Sequence, residues 1–169
     1  LMLSGIISDT LLLTSPTTTD TDRKALEELA KIAEVDYTKY GMEMFKAGSS
    51  LAGKSISDII HGDFKNFTVD NQKLGIGQIS TMSTDEIMSK KEEIISELNE
   101  MAENENYRAV ALFVTDILKN GSYILFNEKS KDIFAESFDV PNIEENHFFE
   151  GMVSRKKQIV PKLMNHLDK

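Results

Sequence analysis

The sequence of 169 residues contains no cysteine. The chain can therefore form neither a disulfide nor a thiolate metal site, a composition typical of a reducing compartment, and we expect a cytoplasmic location. Its three histidines, His61, His147 and His166, are scattered without the spacing of metal ligands. The residues therefore indicate no metal site that this chain could complete by itself.

Long apolar runs are also lacking. No segment reaches the roughly 18 apolar residues that a membrane helix needs, so we predict no membrane partner. The most apolar stretch, residues 1–13, is interrupted by polar or small residues and lacks the basic flank and cleavage site of a signal peptide. Because this stretch has almost no polar face, we expect it to be buried on all sides.

Positive charge is scarce, since 19 basic residues stand against 28 acidic ones for a net charge of −9. This balance argues against non-specific nucleic-acid binding, so we predict no nucleic-acid partner. Nucleophile-elbow, Walker-loop and Cys–His motifs are absent. The lone Gly75-x-Gly77 pair is a very weak phosphate-loop signal, and a bulge or a close strand contact explains it better.

One basic cluster stands out against this acidic background, and it consists of Ser154-Arg155-Lys156-Lys157-Gln158. Arginine offers a planar fork for phosphate oxygens and lysine a compact point charge. Serine is a good helix N-cap, and a helix starting here would add its first N–H groups to an anion site. The alternative is a solvated basic turn, and the cluster alone leaves both interpretations open.

A second candidate is Asp9, a carboxylate in apolar surroundings. An unpaired buried carboxylate is costly, so we expect a cation, a hydrogen-bond donor or a metal beside it. Asp9 could instead cap a helix end or bond to the threonine-rich loop that follows.

Periodicity divides the chain into a helical part at residues 1–47, a hinge at 48–54 where small residues gather, and a domain at 55–169. In the first part, caps at residues 15–20 and at Asp36 each begin a helix. Ser55 caps a short helix after the hinge, and Asp70-Asn71 marks the turn of a β-hairpin. We therefore predict an α/β fold whose mixed sheet of roughly five strands is flanked by helices.

Further along the domain, a capping box at residues 83–86 predicts one long amphipathic helix. The apolar run 110–114 predicts a strand covered on both faces, and Asn120-Gly121 predicts the turn into the next strand. Pro161 either kinks the last helix, predicted at 159–167, or marks its start.

Several segments resemble manganese-dependent, family II inorganic pyrophosphatases of the DHH phosphoesterase superfamily. They are residues 3–12 (LSGIISDTLL), 15–17 (SPT), 40–41, 47–48 and 153–161 (VSRKKQIVP). The resemblance spans essentially the whole chain. It implies that residues 1–47 are the helical tail of a DHH domain and 55–169 the DHH-associated, substrate-binding domain. The family's Asp-His-His signature does not occur in this sequence, and any regulatory CBS insert would lie upstream.

The resemblance implies four catalytic residues. Asp9 matches a ligand of one ion in the two-metal pair. Lys65, in Asp63-Phe64-Lys65, matches a lysine that contacts the substrate phosphate, and Arg155 and Lys156 match the pair that grips pyrophosphate across an interdomain cleft. In such an enzyme a metal-activated water attacks one phosphorus while the cations neutralise charge on the phosphoryl oxygens.

The implied function is hydrolysis of pyrophosphate to two phosphates with Mn²⁺, or with Mg²⁺ or Co²⁺, held mostly by residues that this chain lacks. The resemblance also implies a full-length homodimer formed through the N-terminal domain, and we expect this chain alone to be inactive. Two alternatives remain open: a related phosphoesterase acting on polyphosphate or short nucleotides, and a non-catalytic module that binds a phosphorylated partner.

Overall fold

The computed structural model describes residues 1–48 and 51–167. The chain forms two compact units, Leu1–Ser50 and Leu51–Lys169. The predicted hinge at 48–54 includes Ser49 and Ser50, which lie outside the described residues. None of the helices in the described ranges has the length and apolarity needed to cross a lipid bilayer.

The first unit contains three helices, α1 (Met2–Thr10), α2 (Asp20–Ala33) and α3 (Tyr37–Gly48). Both predicted helix starts are confirmed. Thr19 and Asp22 form a reciprocal capping box at α2, and the Asp36 carboxylate accepts hydrogen bonds from the N–H groups of Thr38 and Lys39 at 2.9 and 3.1 Å.

The apolar start of the chain is not buried on all sides, so that prediction is wrong. In α1 only Ile7 and Thr10 are buried, and Leu1 and Met2 are fully or largely exposed. The reason is that α2 and α3, which pack on α1, are amphipathic helices with one narrow apolar face each. Two such faces cannot cover a helix that is apolar nearly all round.

Within residues 51–167 the second unit is built on a five-stranded sheet with strand order β1-β2-β3-β4-β5. The strands are β1 (Phe64–Val69), β2 (Gln72–Thr81), β3 (Tyr107–Asp116), β4 (Gly121–Phe126) and β5 (Phe148–Glu150). Strands β2 and β3 run parallel and the other neighbours antiparallel, which confirms the mixed sheet. Asp70, Asn71 and Asn120 have positive φ angles of 46°, 62° and 51°, as tight hairpin turns require.

Helices cover both faces of the sheet, as predicted. One face packs against α4 (Ile56–His61), α5 (Thr84–Met88) and α6 (Lys91–Asn104). The other packs against α7 (Lys131–Ser137) and α8 (Val160–Leu167); a 3₁₀ turn, Glu128–Ser130, precedes α7. Strand β3 shows the arrangement clearly, because Ala111 and Phe113 face the α8 side while Leu112 and Val114 face the α6 side.

The long helix predicted from residue 83 is two helices, α5 and α6. Ser83 makes no side-chain cap. Its N–H is instead bound by the Thr81 hydroxyl at 3.0 Å. Ser89 ends α5, because its hydroxyl turns back to the Glu86 carbonyl at 2.7 Å and competes with the continuing helix.

The two glycines of β2 are sites of close contact, as predicted. A Cβ on Gly77 would lie 2.9 Å from the Ile60 carbonyl oxygen, and one on Gly75 would lie 2.9 Å from the Tyr107 ring. These positions let α4 and β3 approach the strand without a side chain between them.

Candidate anion-binding site

The basic cluster begins the C-terminal helical segment. A π turn, Arg155–Ile159, leads directly into α8. Ser154 is the N-cap, and its hydroxyl accepts the Lys157 N–H at 3.3 Å. Pro161 lies in the first turn of α8, which confirms that it marks the start of that helix. Because proline lacks an N–H and crowds the carbonyl four residues before it, the preceding turn is wider than an α turn.

Gln158 fixes the loop in front of this turn. Its side-chain oxygen accepts the N–H groups of Val153 and Ser154, both at 2.9 Å. Its side-chain nitrogen donates to the Gly151 carbonyl at 2.8 Å. Ser154 is therefore the N-cap of the π turn that precedes α8, and the glutamine at the end of the cluster completes this cap.

A row of polar side chains on three strands holds the same loop from the sheet side. Gln78 Nε2 donates to Thr115 Oγ1 at 2.9 Å and to the Val153 carbonyl at 3.0 Å. Thr115 Oγ1 lies 2.8 Å from Ser122 Oγ, which donates to the Met152 carbonyl at 2.5 Å. Thr115 and Ser122 have no exposed surface. Sequence reasoning missed this row, although polar residues within apolar strands are its visible signal.

Arg155 ties the cluster to the start of β1. Its Nη2 lies 2.7 Å from the Asp63 carboxylate, and its Nη1 donates to the Asp63 carbonyl at 2.7 Å and the Ile76 carbonyl at 3.2 Å. The Arg155 side chain is only 9% exposed, whereas that of Asp63 is 57% exposed. The cluster is therefore not simply a solvated basic turn, because its first cation is anchored to the sheet.

The structure brings the three predicted cations to one part of the second unit. Lys65 lies two residues after Asp63 and pairs across β1 and β2 with Ile76, whose carbonyl Arg155 binds. Since cross-strand partners point to the same face, the Lys65 side chain lies on the face that carries Ile159 of the π turn. Lys65 and Lys156 are both exposed.

The helix before β1 is well fixed at its start. Ser55 and Asp58 form a capping box at α4. The main-chain N–H and the hydroxyl of Ser55 hydrogen-bond the Asp58 carboxylate and hold its pKa below the usual value. This cap positions the short helix that leads into Asp63 and Lys65.

Asp9 is exposed on α1, so the expectation of a buried carboxylate is wrong. Helix α1 turns Ile7 and Thr10 inward and leaves the two positions between them, Ser8 and Asp9, outward. The contact with the threonine-rich loop runs through the Asp9 main-chain carbonyl, which accepts the Thr17 hydroxyl at 3.2 Å. No group of three metal-ligating side chains occurs in residues 1–48 and 51–167.

Comparisons with known proteins agree along the chain. The model of the DHHA2 domain family matches residues 42–166. Several relatives carry the name probable manganese-dependent inorganic pyrophosphatase, among them one from Clostridium acetobutylicum and one from Staphylococcus saprophyticus. The one from Clostridium acetobutylicum is 41% identical over 168 residues, covering 99% of this chain and 54% of the relative. The one from Staphylococcus saprophyticus is 44% identical over 169 residues, covering 100% of this chain and 55% of the relative.

A solved structure gives the same result. A Methanococcus jannaschii chain described as a family II inorganic pyrophosphatase superposes with a TM-score of 0.89 at 42% identity, covering 99% of this chain and 55% of that one. The chain thus spans about half the length of the relatives that it matches. It belongs to the DHHA2 domain family, and it is similar to the C-terminal portion of proteins named as manganese-dependent or family II inorganic pyrophosphatases.

Proposed function

We propose that this chain is the C-terminal part of an enzyme that hydrolyses pyrophosphate to two phosphates, and that Lys65, Arg155 and Lys156 hold the substrate. The observation that carries the proposal is the anchoring of Arg155 at Asp63, two residues before Lys65. It brings cations from distant parts of an acidic chain to one site, which fits a small, highly charged anion better than a large surface.

The three cations have different parts in this proposal. The Arg155 guanidinium is held by the sheet and offers its remaining N–H groups in a fixed direction. Lys65 and Lys156 are exposed and can adjust their ammonium groups to the phosphate oxygens. During phosphoryl transfer negative charge spreads over these oxygens, so cations already in place stabilise the transition state more than the substrate.

The relatives' names indicate manganese dependence, and we propose Mn²⁺ as the metal of the full-length enzyme, with Mg²⁺ or Co²⁺ as alternatives. Bound manganese supplies Lewis acidity toward water and phosphoryl oxygens. The exposed Asp9 carboxylate is a suitable oxygen ligand, and we propose it for one ion. The described residues form no complete metal site, so we assign no reaction step to a metal here.

The wider organisation is also part of the proposal. Residues 1–47 are the tail of the DHH domain, 48–54 the hinge, and 55–169 the substrate-binding domain. The full-length protein forms a homodimer through its N-terminal domain, and it works in the cytoplasm, in keeping with a cysteine-free composition.

Steady-state hydrolysis of pyrophosphate by the full-length protein with Mn²⁺ tests the proposal. We expect Lys65→Ala and Lys156→Ala each to lower kcat/KM by about 10²- to 10³-fold, the usual effect of removing one electrostatic donor. Lys162→Ala is the matched control, because it removes an exposed lysine of α8 close after Lys156. The isolated 169-residue chain should be inactive.

Two results would contradict the proposal. One is a wild-type protein that turns over polyphosphate or short nucleotides but not pyrophosphate. The other is an equal, small effect of all three lysine substitutions, which would mean that Lys65 and Lys156 act only through net charge.

A further inference from the structure

Asp63, the carboxylate partner of Arg155, is not one of the three proposed substrate-binding cations, but its contacts with Arg155 indicate a role in the same site. We propose that Asp63 is a positioning residue, which fixes the Arg155 guanidinium so that its remaining N–H groups meet the substrate phosphate. This inference rests on the proposed function and adds a fourth side chain to the binding of the anion.

The hydrogen bonds of the Arg155 guanidinium fix its orientation. Arginine has five N–H donors in a rigid plane. In the described part of the chain both Nη1 donors bind carbonyls, of Asp63 and Ile76, and one Nη2 donor binds the Asp63 carboxylate. The second Nη2 donor and Nε–H have directions that follow from these bonds, because the plane cannot rotate without breaking them.

Asp63 is itself held in place by the sheet. Its carbonyl accepts the Gln78 main-chain N–H at 3.0 Å as well as the Arg155 Nη1 donor. The side chain of the same Gln78 binds the Val153 carbonyl, two residues before Arg155. One residue of β2 therefore fixes both partners of the ion pair, so their relative position is set by the sheet.

The charge of Asp63 and its position beside Arg155 predict opposite changes in anion affinity when Asp63 is removed. Asp63 is an anion beside a proposed anion site, so removing its charge should by itself strengthen anion binding. If Asp63 orients Arg155, removing it should weaken binding, because a nearly buried guanidinium loses its carboxylate and turns away. The sign of the change therefore separates the two effects.

The experiment measures KM and kcat for pyrophosphate, and calorimetric binding of methylenediphosphonate, a non-hydrolysable analogue, with the full-length Mn²⁺ protein. We expect Asp63→Ala to raise KM and the analogue Kd by about tenfold, the usual effect of losing one hydrogen bond to a charged group. Asp63→Asn, which keeps an acceptor oxygen for Nη2, should weaken binding less. The matched control is Asp70→Asn, at the far turn of the same hairpin, where asparagine suits the positive φ.

Three results together support the inference: weaker binding in the order Asp63→Ala, then Asp63→Asn, then wild type; wild-type behaviour of Asp70→Asn; and no further loss when Asp63→Ala is added to Arg155→Ala. Equal or tighter binding by Asp63→Ala overturns it, as does an Asp63→Ala effect that persists without Arg155. Melting curves followed by circular dichroism distinguish these binding effects from unfolding. If Asp63→Ala does not fold, Asp63→Asn decides: weaker analogue binding than wild type supports the inference, and equal or tighter binding overturns it. If the wild-type protein does not hydrolyse pyrophosphate, the proposed function is wrong. That result differs from an overturned inference about Asp63, in which the wild-type protein is active.

Discussion

The polar row Gln78–Thr115–Ser122 gives the sharpest prediction about stability. Ser122→Ala removes the hydroxyl that accepts from Thr115 and donates to the Met152 carbonyl. Ser122 and Thr115 are fully buried, so water cannot replace the lost partners. One buried donor and one buried acceptor are left unsatisfied, and we expect a loss of about 2 to 3 kcal/mol in the free energy of unfolding.

The same geometry predicts that the stability losses of Ser122→Ala and Thr115→Val do not add. Thr115→Val removes the hydroxyl that Ser122→Ala leaves unpaired, at nearly constant side-chain volume. The double variant should therefore lose about 1 to 2 kcal/mol less than the sum of the single variants, since the orphaned donor no longer exists. The control is Ser96→Ala on the exposed face of α6, where alanine is the better helix former and stability should not fall.

Denaturant unfolding of the full-length protein, followed by circular dichroism, measures these differences through the transition that involves the second unit. Since the row holds the loop before Arg155, KM for pyrophosphate should rise in Ser122→Ala as well. Strict additivity of the two substitutions, or a Ser122→Ala cost as small as that of Ser96→Ala, would refute the idea that the row acts as one connected network.

Two other predictions concern Arg155 and the cap of α4. Arg155→Lys keeps the charge but replaces two Nη atoms with one ammonium nitrogen, which cannot occupy both of their positions, so it should lower stability by about 2 kcal/mol. Thermal melting against Lys156→Arg, an exposed exchange expected to be neutral, checks this. The lowered pKa of Asp58 means that its cap contributes stability above the unfolded-state pKa, near 3.8, and loses it as pH falls through the lower folded-state pKa. Wild type should therefore exceed Asp58→Ala in stability at neutral pH by a margin that shrinks in acid, and a margin independent of pH between 2 and 6 would contradict this origin.

Short-range signals predicted most of the secondary structure. The caps at Thr19, Asp36 and Ser55 and the turns at Asp70-Asn71 and Asn120 are where expected, because each depends on hydrogen bonds or φ angles within about four residues. The buried strand at 110–114 was also predicted, since an apolar run bounded by turn signals indicates a buried strand without any long-range information. The break between α5 and α6 was missed because a competing bond from one serine hydroxyl decided it.

The sequence by itself determined the α/β class, the hairpins, the N-cap at Ser154 and the cations of the candidate site, because these depend on neighbouring residues or on a matching family pattern. Only the tertiary structure decided that Arg155 is bound to Asp63, 92 positions away, and that Gln78 holds Val153, 75 positions away. Likewise only packing decided that Asp9 faces outward. Such contacts depend on how the sheet orders its strands and on which helix faces find a partner, and no local pattern of residues encodes either.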